Sequence, residues 1–192
     1  MTEATATTPS RRALSGRSPE TVERLLDAGL VVLREKGYDQ LTIREVCRRA
    51  ELTHATAYGY FSAKQHLVAE AYRRRIEQWC RQPITGETPL ERLSAIFADL
   101  GALMAAEPEL STAASAAVLS RDPDVEQIRN RIGRAMVERL RAAAGQDCSE
   151  VVLNALNIAV SGAMIHAGMN YYTYDEMAEQ LTTVAALLLA NN

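Results

Sequence analysis

The sequence predicts an all-α chain of about nine helices: a three-helix helix-turn-helix head at the N-terminus, followed by a C-terminal helical domain. Three observations predict it. Apolar residues recur at spacings of three and four along most of the chain. Helix-opening signals, a Ser or Thr cap or a Pro at the first helical position, stand ahead of several of those stretches. The composition is rich in Ala and Leu, holds six prolines and is only 5% aromatic, which favours helix over strand.

Residues 1–17 are rich in Thr, Ala and Ser, lack an apolar signal core, and read as a flexible tail. Ser18-Pro19-Glu20 opens the first helix with a capping Ser, a Pro at the first position and an acid near the positive dipole end. Val22, Leu25, Leu26, Gly29, Val32 and Leu33 form its buried stripe, and Gly37 is placed to stop it in the left-handed conformation. Thr42 with Glu45 makes a capping box for a short helix whose inner face is Ile43, Val46, Cys47 and Ala50. Glu51-Leu52-Thr53 reads as a tight turn, and Thr53 caps a second short helix ending near Tyr60. Ser62 and Gln65 suggest a further capping box opening a helix over 63–80, with Leu67, Val68, Ala71, Tyr72, Ile76 and Trp79 inward and His66 exposed.

The segment 82–89, with Pro83, Gly86 and Pro89, is the first linker and divides residues 18–82 from 83–192. Beyond it the pattern predicts helices at about 89–106, 108–120, 123–144, 149–170 and 174–190. No uninterrupted run of about eighteen apolar residues occurs, so no membrane span is expected. Cys47, Cys80 and Cys148 are too far apart for a disulfide framework or a zinc cluster, which suits a reduced, cytoplasmic setting. Cys47 reads as packing. No metal, no cofactor and no catalytic pairing is called for, so an enzyme is not expected.

Charge is informative only when the chain is split. Residues 1–82 carry a balance of +4 and residues 83–192 one of −7, so one end suits a polyanion and the other repels it. Residues 42–61 have the form helix, three-residue turn, short helix, which lets the third helix of a trihelical unit enter a DNA major groove. That helix offers Thr53, His54, Thr56, Tyr58 and Tyr60 for hydrogen bonding, with small Ala55, Ala57 and Gly59 between them. The helix opening beside Lys64 is a ready anion site.

These residues carry a resemblance. Leu41-Thr-Ile-Arg-Glu-Val-Cys-Arg-Arg-Ala50, then Leu52-Thr-His-Ala-Thr-Ala-Tyr-Gly-Tyr-Phe61 and Lys64, resembles the DNA-binding head of the TetR family, as do Leu26-Asp-Ala-Gly and Lys36-Gly-Tyr38 upstream. The resemblance implies phosphate-positioning roles for Thr42, Thr56, Tyr58, Tyr60 and Lys64, and places His54 and Ala55 nearest the base edges. Glu51 departs from the family's usual Gly in the turn, Gly59 from a larger side chain, and Ala57 from a larger apolar one. The implied function is a ligand-responsive repressor that binds a near-palindromic double-stranded operator as a homodimer and is released by a small effector. An activator on the same fold, or a helical ligand-binding protein with lost DNA binding, stays open.

In the C-terminal half, Phe97, Leu100, Met104, Leu119, Ile132, Met136, Asn157, Met164 and His166 are the expected lining of an effector pocket. They imply an uncharged, apolar ligand. For His166 alone the core reading outweighs ligand contact. Ala155, Ala159, Gly162 and Ala163, with Leu181, Val184 and Leu188 of the last helix, are the expected homodimer interface.

Overall fold

The computed structural model describes residues 18–190, so the expected tail at 1–17 lies outside the described residues. Those residues form nine α-helices and no strand: α1 (Pro19–Gln40), α2 (Ile43–Ala50), α3 (His54–Tyr60), α4 (Lys64–Cys80), α5 (Pro89–Ala106), α6 (Pro108–Ala117), α7 (Pro123–Ala144), α8 (Glu150–Gly168) and α9 (Tyr174–Leu189).

The helix starts follow local chemistry. Pro opens α1, α5, α6 and α7, where its missing N–H costs nothing. Thr88 and Thr173 head full capping boxes with Glu91 and Glu176. Ser149 and Asp122 cap α8 and α7. Two expected caps are absent: Ser18 makes no side-chain cap, and the position before α4 is Ala63, also without one. The Ser62 hydroxyl lies 3.1 Å from His66 Nδ1 of α4 and donates to Asp122 Oδ2 at 2.7 Å, and does not cap the helix. Gly37, at φ 75° and ψ 171°, breaks the helical path inside α1 with a positive φ but not in the expected left-handed helical conformation, and the element runs on to Gln40.

The head is built on Leu25, Leu33, Leu41, Val46, Phe61 and Leu67, all nearly fully buried. Each such side chain contributes about 1.5–3 kcal/mol relative to exposure. Helices α1 and α4 cross closely at Gly29, where an added Cβ would lie 2.5 Å from Leu67 Cδ2. Helix α4 leaves the head and packs on α6 and α7; α5 packs on α9, and α8 on α9, α7 and α6.

Several expectations for the C-terminal half are corrected by the packing. Leu119 is 65% exposed, because α6 ends at Ala117 and Leu119 sits in the turn beyond it. His166 is also exposed, near the rings of Tyr171 and Tyr172, and belongs to neither pocket nor core. Ala163 and Leu181 are buried within their own subunit and present nothing to a partner. The outward face of α8 is instead Val151, Asn154, Ile158, Ser161 and Ile165, spaced by three and four, and Leu187 is exposed on α9. Ala155, Ala159, Gly162, Val184 and Leu188 lie half-buried at the margins of that face.

By length and composition alone α8 could cross a bilayer, because averaged hydropathy tolerates the Asn and Ser that break its apolar run. A third of that stretch is buried against neighbouring helices. Phe97, Leu100, Met104, Ile132 and Met136 are buried, and Asn157 and Met164 half-buried. A cleft of about 370 Å³ lined by Thr88, Arg92, Gly145, Cys148 and Leu189 includes none of these.

Candidate nucleic-acid interface

The interface is assembled from two short helices and the turn between them. Thr42 caps α2, its hydroxyl accepting from the Glu45 amide at 3.2 Å. Thr53 caps α3 in the same way, accepting from the Thr56 amide at 3.1 Å, with the two threonine hydroxyls 2.8 Å apart. A cap of this kind contributes about 1 kcal/mol, which matters for a helix of only seven residues. Arg24 of α1 donates to the Ala50 carbonyl at 2.6 Å and closes the end of α2.

Glu51 makes the turn. Its backbone is left-handed, at φ 54° and ψ 43°, and its amide donates to the Cys47 carbonyl. Gly adopts this conformation freely; Glu does so against a steric penalty of about 1 kcal/mol. The strain expected from the sequence is therefore present, and the side chain is exposed.

Helix α3 docks mainly through Ala57, with Tyr60 packed beside it at the margin of the core. Ala57 is 1% exposed, and its lack of bulk brings the helix close to the head. Thr53, His54, Ala55, Tyr58 and Gly59 are exposed, while Thr56 and Tyr60 are half-buried. Tyr58 is 48% exposed, with its ring 6.5 Å from that of His54. Nothing lies within 4 Å of where a Gly59 Cβ would stand, so that helix face is open. The outer surface of α3 thus offers hydroxyls, a phenol and an imidazole over a backbone that a partner can approach closely.

Lys64 has a more particular setting than its motif suggests. Its ammonium donates to the Tyr38 carbonyl at 2.8 Å and the Asp39 carbonyl at 3.2 Å, and lies 4.5 Å from the Tyr38 ring centroid. It binds the end of α1 to the start of α4. The sequence reading passed over Arg44, which is exposed on α2 and in no ion pair among the described residues. Its spacing from Arg48, four residues on, marks an outer helix face and could have revealed it. Arg48 is paired to Glu45, whose carboxyl is held down at about 2 by Arg48 and then Lys36. Arg49 is paired to Glu35.

Behind the interface lies a junction that the sequence did not suggest. His66 is 6% exposed, with its ring edge-on to Phe61 at 5.2 Å, not outward as expected. The Ser62 amide donates to His66 Nδ1 at 3.2 Å, and the Ser62 hydroxyl lies 3.1 Å from the same nitrogen. The Ser62 hydroxyl reaches Asp122 at the start of α7, and Asp124 Oδ2 lies 3.6 Å from His66 Nδ1. Cys47 is packed as expected, and burial pushes its thiol pKa up.

Comparison with known proteins now bears on this geometry. Residues 25–71 match the family described as bacterial regulatory proteins, tetR family. A protein of Mycobacterium tuberculosis named as an uncharacterized HTH-type transcriptional regulator is 38% identical over 189 residues, covering 96% of this chain and 88% of its own. The HTH-type transcriptional repressor KstR of Rhodococcus jostii is 32% identical over 149 residues, covering 76% of this chain and 69% of its own. Among solved structures, a TetR transcriptional regulator from Rhodococcus sp. RHA1 superposes with a TM-score of 0.74 at 20% identity, covering 90% of this chain and 97% of its own. FadR of Bacillus subtilis, in complex with stearoyl-CoA, superposes with a TM-score of 0.67 at 17% identity, covering 88% and 98%.

Proposed function

The chain belongs to the TetR family of bacterial regulatory proteins, and we propose from that premise that it is a repressor released from its operator by a small effector. The observation that carries this reading is the capped α3, docked on the head through Ala57 and Tyr60, with Thr53, His54 and Tyr58 exposed on its outer face. Thr42, Thr56, Tyr58, Tyr60 and Arg44 would hold phosphates, and His54 and Ala55 would face base edges. Lys64 would act at one remove, by fixing α4 against α1.

One recognition helix makes too few contacts for a specific site, so a two-fold pair is part of the proposal. The exposed apolar residues of α8 and α9, Val151, Ile158, Ile165 and Leu187, favour pairing through that face. Two heads so related would read half-sites about 34–36 Å apart, giving a near-palindromic operator. Repression is favoured over activation by the KstR relative, which is named a repressor. A small-molecule effector is favoured by the FadR neighbour, solved with stearoyl-CoA.

The mechanism proposed is a shift of population between two spacings of the heads, with effector binding the one that does not fit the operator. Helix α4 is the lever, since it begins beside α3 and packs along α6 and α7. Selection of the purified protein against random duplexes at two salt concentrations tests the reading. Enrichment of a near-palindrome with steep salt dependence is expected; a folded dimer that enriches nothing would overturn it.

A further inference from the structure

Arg139 is a buried cation with one edge unused. It stands on α7 at 4% exposure, and its Cζ lies 4.5 Å from the ring centroid of Trp79 on α4. Nη1 donates to the Cys80 carbonyl at 3.1 Å and the Gln82 carbonyl at 2.9 Å, bracing the end of α4 and the segment that follows. Nε and Nη2 have no partner, and neither does the indole N–H of Trp79, itself 4% exposed.

Among the described residues no anion forms an ion pair with this group. Burial pulls its pKa down, opposed by the fields of Cys80 and Asp99, but no ion pair joins Asp99 to it. Cys80 supplies no negative charge at neutral pH, since burial pushes its thiol up to about 11. A buried charge without a counter-charge is strongly unfavourable, and a bound anion would relieve that cost.

The shape of the unused edge says what that partner is. Nε and Nη2 are the two adjacent donors of the guanidinium fork, spaced to meet both oxygens of a planar carboxylate. Ile132, Met136 and Arg139 lie four and three residues apart on one face of α7, so the cation continues a stripe of buried apolar side chains. We infer that Arg139, with the Trp79 indole N–H, anchors the carboxylate of a largely apolar organic acid, and that this acid is the effector. This rests on the reading of the chain as ligand-responsive and replaces the uncharged effector expected from the sequence. It also places the anchor at one end of the lever: α4 has 17 residues, about 25 Å at 1.5 Å per residue, and its other end adjoins the recognition helix.

Trp79 is the only tryptophan in the chain, so its emission reports on this site alone. The full-length protein is titrated with sodium decanoate, decan-1-ol and decyl phosphate. Decanoate is expected to shift Trp79 emission saturably at sub-millimolar concentration, and decanol to bind at least tenfold more weakly. Arg139→Met should weaken decanoate at least tenfold. Arg139→Lys, which keeps the charge and the brace on the linker carbonyls but loses the two-point edge, should do the same and guards against misfolding of the first variant. Equal binding of decanol, unchanged decanoate binding in folded Arg139→Lys, or no response to millimolar decanoate would overturn the assignment. Arg139-dependent binding of decyl phosphate without decanoate would overturn the carboxylate and make the anion a phosphate monoester. Duplex selection on ligand-free protein is scored separately: its failure removes the regulator reading and leaves the Trp79 titration intact, and the reverse holds equally.

Discussion

The Ser62 hydroxyl donates to Asp122 Oδ2 at 2.7 Å, joining the end of the recognition unit to the first turn of α7 across 60 residues of sequence. Asp122 is also the cap of α7, accepting from the Asp124 amide through its other oxygen. One carboxylate therefore holds both the start of α7 and the residue that follows α3 and Phe61. Ser62→Ala should cost about 1 kcal/mol of stability and blunt effector release more than it weakens operator binding. Fluorescence anisotropy on labelled operator, with and without effector, checks it; an unchanged effector response would remove this contact from the relay.

The strain at Glu51 gives a prediction of opposite sign. Glu51→Gly should stabilise the protein by about 1 kcal/mol, a rise of about 2–4 °C in Tm, and should tighten operator binding by removing an acid from the turn. Glu51→Ala removes the charge but keeps the strain, so its Tm should stay near that of the native protein. Calorimetry on the three proteins separates the two effects.

On α3, Tyr58→Phe should weaken binding to every duplex by roughly 1 kcal/mol, the value of one hydrogen bond. His54→Ala should reorder the ranking of half-site variants. Affinities over a panel of single-base operator variants check both. A His54→Ala ranking identical to the native one would take His54 off the base edges.

Glu70 predicts an acid sensitivity. It is 2% exposed and accepts from Arg73 at 2.7 Å and Arg74 at 3.1 Å, while Arg74 also pairs with Glu23 of α1. Burial raises its pKa, but the two guanidiniums outweigh this and the net shift is downward. A carboxylate lowered on folding stabilises the protein above its unfolded value, about 4.3, and that contribution is lost as pH falls through the folded pKa. Glu70→Gln should therefore cost about 2 kcal/mol at neutral pH, and the gap to native should close at the acid end of a urea-denaturation series.

Local chemistry was legible in the sequence and distant partnership was not. Thr42 and Thr53, Pro at the head of four helices, and Gly37 each act through neighbours within four residues, so their structures could be read from spacing. His66 is buried because Phe61, Asp122 and Asp124 surround it, and Lys64 is engaged because α1 ends beside it. Nothing in periodicity names a partner many residues away. The stripes of α8 fail for a related reason. Helical spacing identifies apolar faces, but it does not say which one meets its own subunit, so Ala163 was assigned outward and Ile158 overlooked. Periodicity does not mark Arg139 as buried, because its cover, Trp79 and the carbonyls of Cys80 and Gln82, comes from α4 and the segment after it.

The grip of Lys64 on the Tyr38 and Asp39 carbonyls constrains what kind of signal can reach DNA. With α1 and α4 pinned at the point where α3 has just ended, the head has little freedom to loosen piecemeal. A pull on α4 tilts it whole. Amide protons of α2 and α3 should then exchange with solvent at the same rate whether or not effector is bound, while amides in the segment after α4 slow down. On the proposed mechanism the message would be carried as an angle, with the recognition surface folded in both states.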